Sequence, residues 1–130
     1  MLKITAENCQ RITVTANVTG DLANKEGYIV EQVAAAKTVQ LFTSGIPYAV
    51  LGERIQDSDQ WFAYLIGGGG IAPCVAGGAI NSPAYVKAQS GGKVVAASST
   101  NLSIGAKRNP TAAAADGDVV GVDLFFVIMP

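Results

Sequence analysis

Arg11-Ile12-Thr13-Val14-Thr15-Ala16-Asn17-Val18-Thr19 alternates polar and apolar residues without an error. A strand turns successive side chains to opposite faces, so this stretch predicts a half-buried strand with Ile12, Val14, Ala16 and Val18 on one side. The same reading extends outward. Residues 28–33 and 37–43 are two further β-rich runs separated by Ala34-Ala35-Ala36, and residues 46–55 form another, with Pro47 near its start, where a strand tolerates proline. Asp57-Ser58-Asp59-Gln60 before Trp61-Phe62-Ala63-Tyr64-Leu65-Ile66 fits either the cap of a short helix or the opening of a buried strand. Gly67 to Gly70 end that element in both cases, because four glycines in a row carry too much backbone entropy to continue it.

Beyond the glycines come short apolar pieces at 71–76, 84–88 and 93–97, separated by Gly77-Gly78, Asn81-Ser82-Pro83 and Ser90-Gly91-Gly92. That spacing predicts a barrel or sandwich. The last run, 118–129, sets Val120, Val122, Leu124, Phe126 and Ile128 on one face and Val119, Phe125 and Val127 on the other, which predicts a strand covered on both sides toward its end. The expected fold is all-β: a small barrel or sandwich of short antiparallel strands with at most one short helix. Residues 1–20 form an N-terminal strand or arm, and residues 21–130 a single β-barrel-like domain.

Charged residues are 15% of the 130 and apolar ones 49%, more apolar than a small monomer needs to fill its interior. The surplus points to interfaces. Net charge is −1, which offers nucleic acid no general attraction, and no apolar run reaches the roughly 20 residues of a membrane helix. Neither nucleic acid nor membrane is an expected partner. From Gln60 to Ala106 the only charges are Lys87 and Lys93, a neutral stretch suited to burial or contact. The start, Met1-Leu2-Lys3-Ile4-Thr5, lacks a signal peptide's basic and long apolar regions, so a product of the cytoplasm is expected, with Cys9 and Cys74 as unpaired, buried small hydrophobes.

The chain has no histidine, which removes the commonest general base and most zinc sites. Asp57 and Asp59, with Glu53, are the densest carboxylates; a hydrolase would use such a pair as acid and base, but a turn or helix cap explains them better. Asp116 and Asp118 around Gly117 fall short of a calcium loop. No Gly-Lys-Ser/Thr follows the glycine run, so it is read as a hairpin or a close backbone approach, not a phosphate cradle. No catalytic residue, cofactor or metal is expected. Trp61, Phe62 and Tyr64 fit the core, the commoner fate of such a cluster, or an interface anchor. Lys107-Arg108 fits an acidic partner as well as an ordinary loop.

Gly70-Ile71-Ala72-Pro73-Cys74-Val75-Ala76-Gly77-Gly78-Ala79-Ile80, then Ala84-Tyr85-Val86-Lys87, then Ser90-Gly91-Gly92-Lys93-Val94-Val95, resemble in order the bacteriophage capsid decoration, or cement, proteins. The resemblance closes with Ile104-Gly105-Ala106, the alanine-rich link at 112–115 and Asp116-Gly117-Asp118-Val119-Val120-Gly121-Val122. It covers about the last sixty residues well and Gly20 to Gln60 loosely. Where Ser82-Pro83 stands the family often has a glycine, and its link usually lacks an insertion like Lys107-Arg108-Asn109-Pro110. The resemblance implies a non-enzymatic virion protein on the outside of an assembled head, made in the bacterial cytoplasm. Its implied partners are the major capsid protein and further copies of itself, a trimer being favoured. Candidate contact residues are Met1, Leu2 and Ile4 in the N-terminal segment, Trp61, Phe62 and Tyr64, and Lys107 and Arg108. The rivals are a tail-tube or head-completion protein, a carbohydrate-binding β-module presenting Trp61 and Tyr64, and the small hydrolase.

Overall fold

A computed structural model describes residues 6–56, 58–81, 84–107 and 115–130. Ten strands follow in chain order: β1 (Arg11–Ala16), β2 (Ile29–Gln32), β3 (Thr38–Leu41), β4 (Pro47–Arg54), β5 (Gln60–Leu65), β6 (Ile71–Val75), β7 (Tyr85–Ala88), β8 (Val94–Ala96), β9 (Leu102–Lys107) and β10 (Val119–Ile128). The one helical piece among the described residues is a 3-10 turn at Ile66–Gly68. The chain is therefore all-β, as its patterning predicts.

The first five strands close a barrel in the order β1-β3-β2-β4-β5, with β5 returning to β1 through pairs from Arg11↔Tyr64 to Thr15↔Gln60. One pairing departs from the antiparallel expectation: β1 and β3 run parallel, Thr15 against Thr38 and Ala16 against Val39. Parallel neighbours need a crossover, and here β2 lies between them in the chain. Side chains alternate across the wall. Val14, Ala16, Leu22, Val30, Val39, Ala49, Leu51, Trp61 and Ala63 fill the barrel. Ile12 packs partly against them, but Val18, expected on that face, lies beyond the end of β1 and is exposed.

The other five strands form a sheet in the order β6-β10-β9-β7-β8, and its inner residues pack on the outside of the barrel. Ile29 and Val50, directly paired on β2 and β4, join Ile66, Ala72, Cys74, Val86, Val94, Ile104, Val120, Val122 and Leu124 in this second core. Strand β2 is thus buried on both faces, which is why Ile29-Val30 reads as a continuous apolar pair and not an alternation. A parallel bridge from Ala76 to Val94 ties the sheet's two edges together at one end. Strand β9 is an element the sequence reading leaves unassigned, although Leu102, Ile104 and Ala106 alternate with Ser103, Gly105 and Lys107.

The four-glycine run is a close approach. At Gly70 the backbone is left-handed (φ 91°), and a β-carbon there would stand 2.6 Å from the carbonyl carbon of Asn8. Only glycine lets the N-terminal segment lie down here, where Glu7 and Ile71 exchange backbone hydrogen bonds of 2.8 Å. Pro73 sits mid-strand in β6, paired with β10 through Gly121. Among the described residues the opposite flank of β6 meets loop backbone, Glu7 at Ile71 and Gly27 at Val75, so the missing N–H breaks no ladder there.

Candidate interaction surface

Strand β10 outruns its neighbour. Its pairing with β6 ends at Asp123↔Ile71, and Leu124 N–H then donates to Gly70 O at 2.8 Å. Pairing with β9 continues to Ile128↔Leu102, but with a bulge: Leu124 faces Gly105 and Val127 faces Ser103, so Phe125 and Phe126 both stand across from Ile104. A bulge bends the strand and breaks its two-residue period. Beyond Leu124 β10 is therefore hydrogen-bonded along one side only among the described residues.

The consequence overturns the expectation that β10 is covered on both sides toward its end. Phe125, Phe126, Val127 and Ile128 are all exposed, Ile128 to 70%. The inward run Val120, Val122, Leu124 is buried as predicted; Phe126 and Ile128 are not, because the bulge shifts them and β6 stops short. Tyr85 and Leu102 extend the patch, Tyr85 meeting Phe125 edge-to-face with centroids 5.9 Å apart. No charged side chain occurs from Leu124 to Pro130. Isolated exposed apolar residues are ordinary on a protein surface; a contiguous patch along a free strand edge is a place for a partner.

Those residues singled out from sequence that the structure describes lie elsewhere. Trp61 is 1% exposed inside the barrel, with the Arg54 guanidinium 5.4 Å from its ring, so it presents no anchor at the surface. Its burial equally removes it as a sugar-stacking platform. The strand's inward positions go to Trp61 and Ala63, leaving Phe62 half-buried on the outer wall under the Arg11 guanidinium, 4.1 Å from the ring. Tyr64 packs partly against the second core, and burial pushes its phenol above the ordinary range. Lys107, 4% exposed at the end of β9, is enclosed and already engaged, not displayed. Met1, Leu2, Ile4 and Arg108 lie outside the described residues. The sequence signal for the patch was there, five apolar residues without a charge at 124–128, but it reads as core until the bulge is known.

Of the carboxylates, Asp118 makes a local turn bond and Asp59 a long-range bond to another loop. Asp59 accepts from Gly20 N–H at 3.4 Å, and Asp118 from Ala115 N–H at 2.8 Å; Asp57 lies outside the described residues. Among the described residues no three His, Cys, Asp or Glu side chains gather as metal ligands. Both cysteines are free thiols, Cys74 fully buried and Cys9 half-buried with its Sγ donating to Ile71 O at 3.1 Å.

Among the described residues Glu31 is the one buried acid. Its carboxylate accepts from Gln40 Nε2 (2.7 Å), Thr43 N–H (2.9 Å), Thr43 Oγ1 (3.1 Å) and Gly45 N–H (3.1 Å). Burial pushes this carboxyl up, but the donors from Thr43, Gln40 and Gly45 outweigh it and hold it below its ordinary range. The loop between β3 and β4 is thereby tied to β2. Compared with family models, with curated proteins and with solved structures, the chain matches none.

Proposed function

We propose that this chain is a structural virion protein that binds the outer surface of an assembled bacteriophage capsid and stabilises it, acting as a homo-oligomer, a trimer being favoured, and carrying out no catalysis. The observation that carries the reading is the ordered resemblance to decoration proteins: its apolar pieces coincide with β6, β7, β8 and the start of β10, and its Ser90-Gly91-Gly92 piece with the β7–β8 connection. The apolar surplus of the composition and the exposed patch at the end of β10 suit a protein that works through contacts.

The physical action is linkage. A ligand that binds only the assembled lattice stabilises it by about 2.7 kcal/mol per site at a hundredfold excess over its dissociation constant, and the contributions sum over the sites of a head. An oligomer straddling several capsid subunits converts weak single contacts into avidity. Co-sedimentation with undecorated, expanded heads tests the reading. Saturable binding at a fixed copy number per capsid subunit is expected; heads of the matching phage that sediment free of the protein would overturn it. The free edge of β10 also suits a tail-tube or head-completion module, and assembly of the pure protein into rings or tubes without heads would favour that alternative.

A further inference from the structure

We infer that the end of β10 is where copies of this chain meet: Phe125, Phe126, Val127 and Ile128, with Tyr85 and Leu102 beside them, come together with the same residues of neighbouring copies around a symmetry axis. Exposures of these six run from 36% to 70%. Taking about 200 Å² for a large side chain, they offer roughly 500 Å² of apolar surface per chain. A stable interface buries about 800 Å² per partner, so this patch supplies most of one and its rim the rest.

Three observations select a second copy as the occupant. The segment from Leu124 to Pro130 carries no charged side chain, so bringing it against itself opposes no like-charged side chains, as symmetry otherwise does where a patch is charged. Apart from the Tyr85 hydroxyl the six side chains are apolar, the character of permanent subunit interfaces and not of the more polar surfaces that meet and part. The free flank of β10 beyond Leu124 is a strand edge, which in solution is either covered or a seed of aggregation, and another copy is the partner present at equal concentration from synthesis onward.

This deepens the homo-oligomer part of the proposed function and rests on that part alone. Masses are measured without heads, so failure here and failure to bind heads are separate results. The full chain is compared by sedimentation velocity with Val127→Asp/Ile128→Asp, both side chains being exposed, and with Ile46→Asp, a more exposed apolar site on the β3–β4 connection. The expected result is an oligomer of the 13.3 kDa chain for the wild type and for Ile46→Asp, and a folded monomer for the double variant. A wild type that stays monomeric at about 0.1 mM, the range of weak encounters, overturns the inference, as does a double variant that keeps the wild-type mass. Should the double variant unfold, hydrogen exchange on the wild type decides. Amides of 125–128 protected in the oligomer and released on dilution support the interface, and protection independent of concentration refutes it.

Discussion

Glu31 is the residue whose removal the structure predicts most sharply. In Glu31→Ala the N–H groups of Thr43 and Gly45 and the amide of Gln40 lose a charged acceptor together. Hydrogen bonds to a charged group contribute about 1.5–3 kcal/mol each, but a loop can open and let water replace part of the loss. The net expectation is about 3 kcal/mol, a fall in Tm of about 10 °C for a domain of this size. Glu31→Gln keeps one carbonyl oxygen for the two backbone donors, and a flipped Gln40 amide can accept from the new one, so the loss there is about 1 kcal/mol. Urea unfolding of the three proteins at neutral pH measures both figures. Because the folded carboxyl titrates below its ordinary value of 4.5, its stabilising share is complete above that pH. It is lost as pH falls further, through the folded-state value. The gap between wild type and Glu31→Gln therefore narrows on acidification below about 4.5 and is constant above it. A Glu31→Ala protein within 0.5 kcal/mol of wild type, or a gap that widens in acid, would refute the reasoning.

Two further expectations come from packing. Gly105 lies against Asp123, where a β-carbon would fall on the carbonyl oxygen, so Gly105→Ala forces β9 and β10 apart and costs about 2 kcal/mol or more, read as a lowered urea midpoint. Burial pushes both thiols up, Cys74 far more than Cys9; at pH 8 a thiol reagent is expected to modify Cys9 slowly in the native protein and Cys74 only on unfolding. Rapid native labelling of Cys74 would contradict its place in the sheet core.

What was legible in the sequence was local. The alternation of β1 and the run Val120-Val122-Leu124 each encode one strand and its buried side, and the proline-led entry of β4 encodes a strand that is in fact buried on both faces. The glycine run encodes a close approach, though not that Asn8 is what approaches. Closure of the barrel, the parallel β1–β3 pair and the lodging of Ile29 and Val50 between two cores depend on contacts far apart in the chain, which no window reveals. Trp61 shows the limit of composition: the residue type that anchors interfaces also fills barrels, and only the neighbours decide. Phe126 and Ile128 show the limit of periodicity, since a single extra residue in the ladder ends the pattern while the apolar letters continue. Glu31 carried a faint signal, an acid inside Ile29-Val30-Glu31-Gln32-Val33, but its donors come from the neighbouring strand β3 and the β3–β4 loop.

The measurement closest to the central claim is the thermal disruption temperature of undecorated, expanded heads titrated with the purified protein. The account predicts a temperature that rises with occupancy and levels off when the sites are full. Heads that bind the protein to saturation and still break at their original temperature would contradict it.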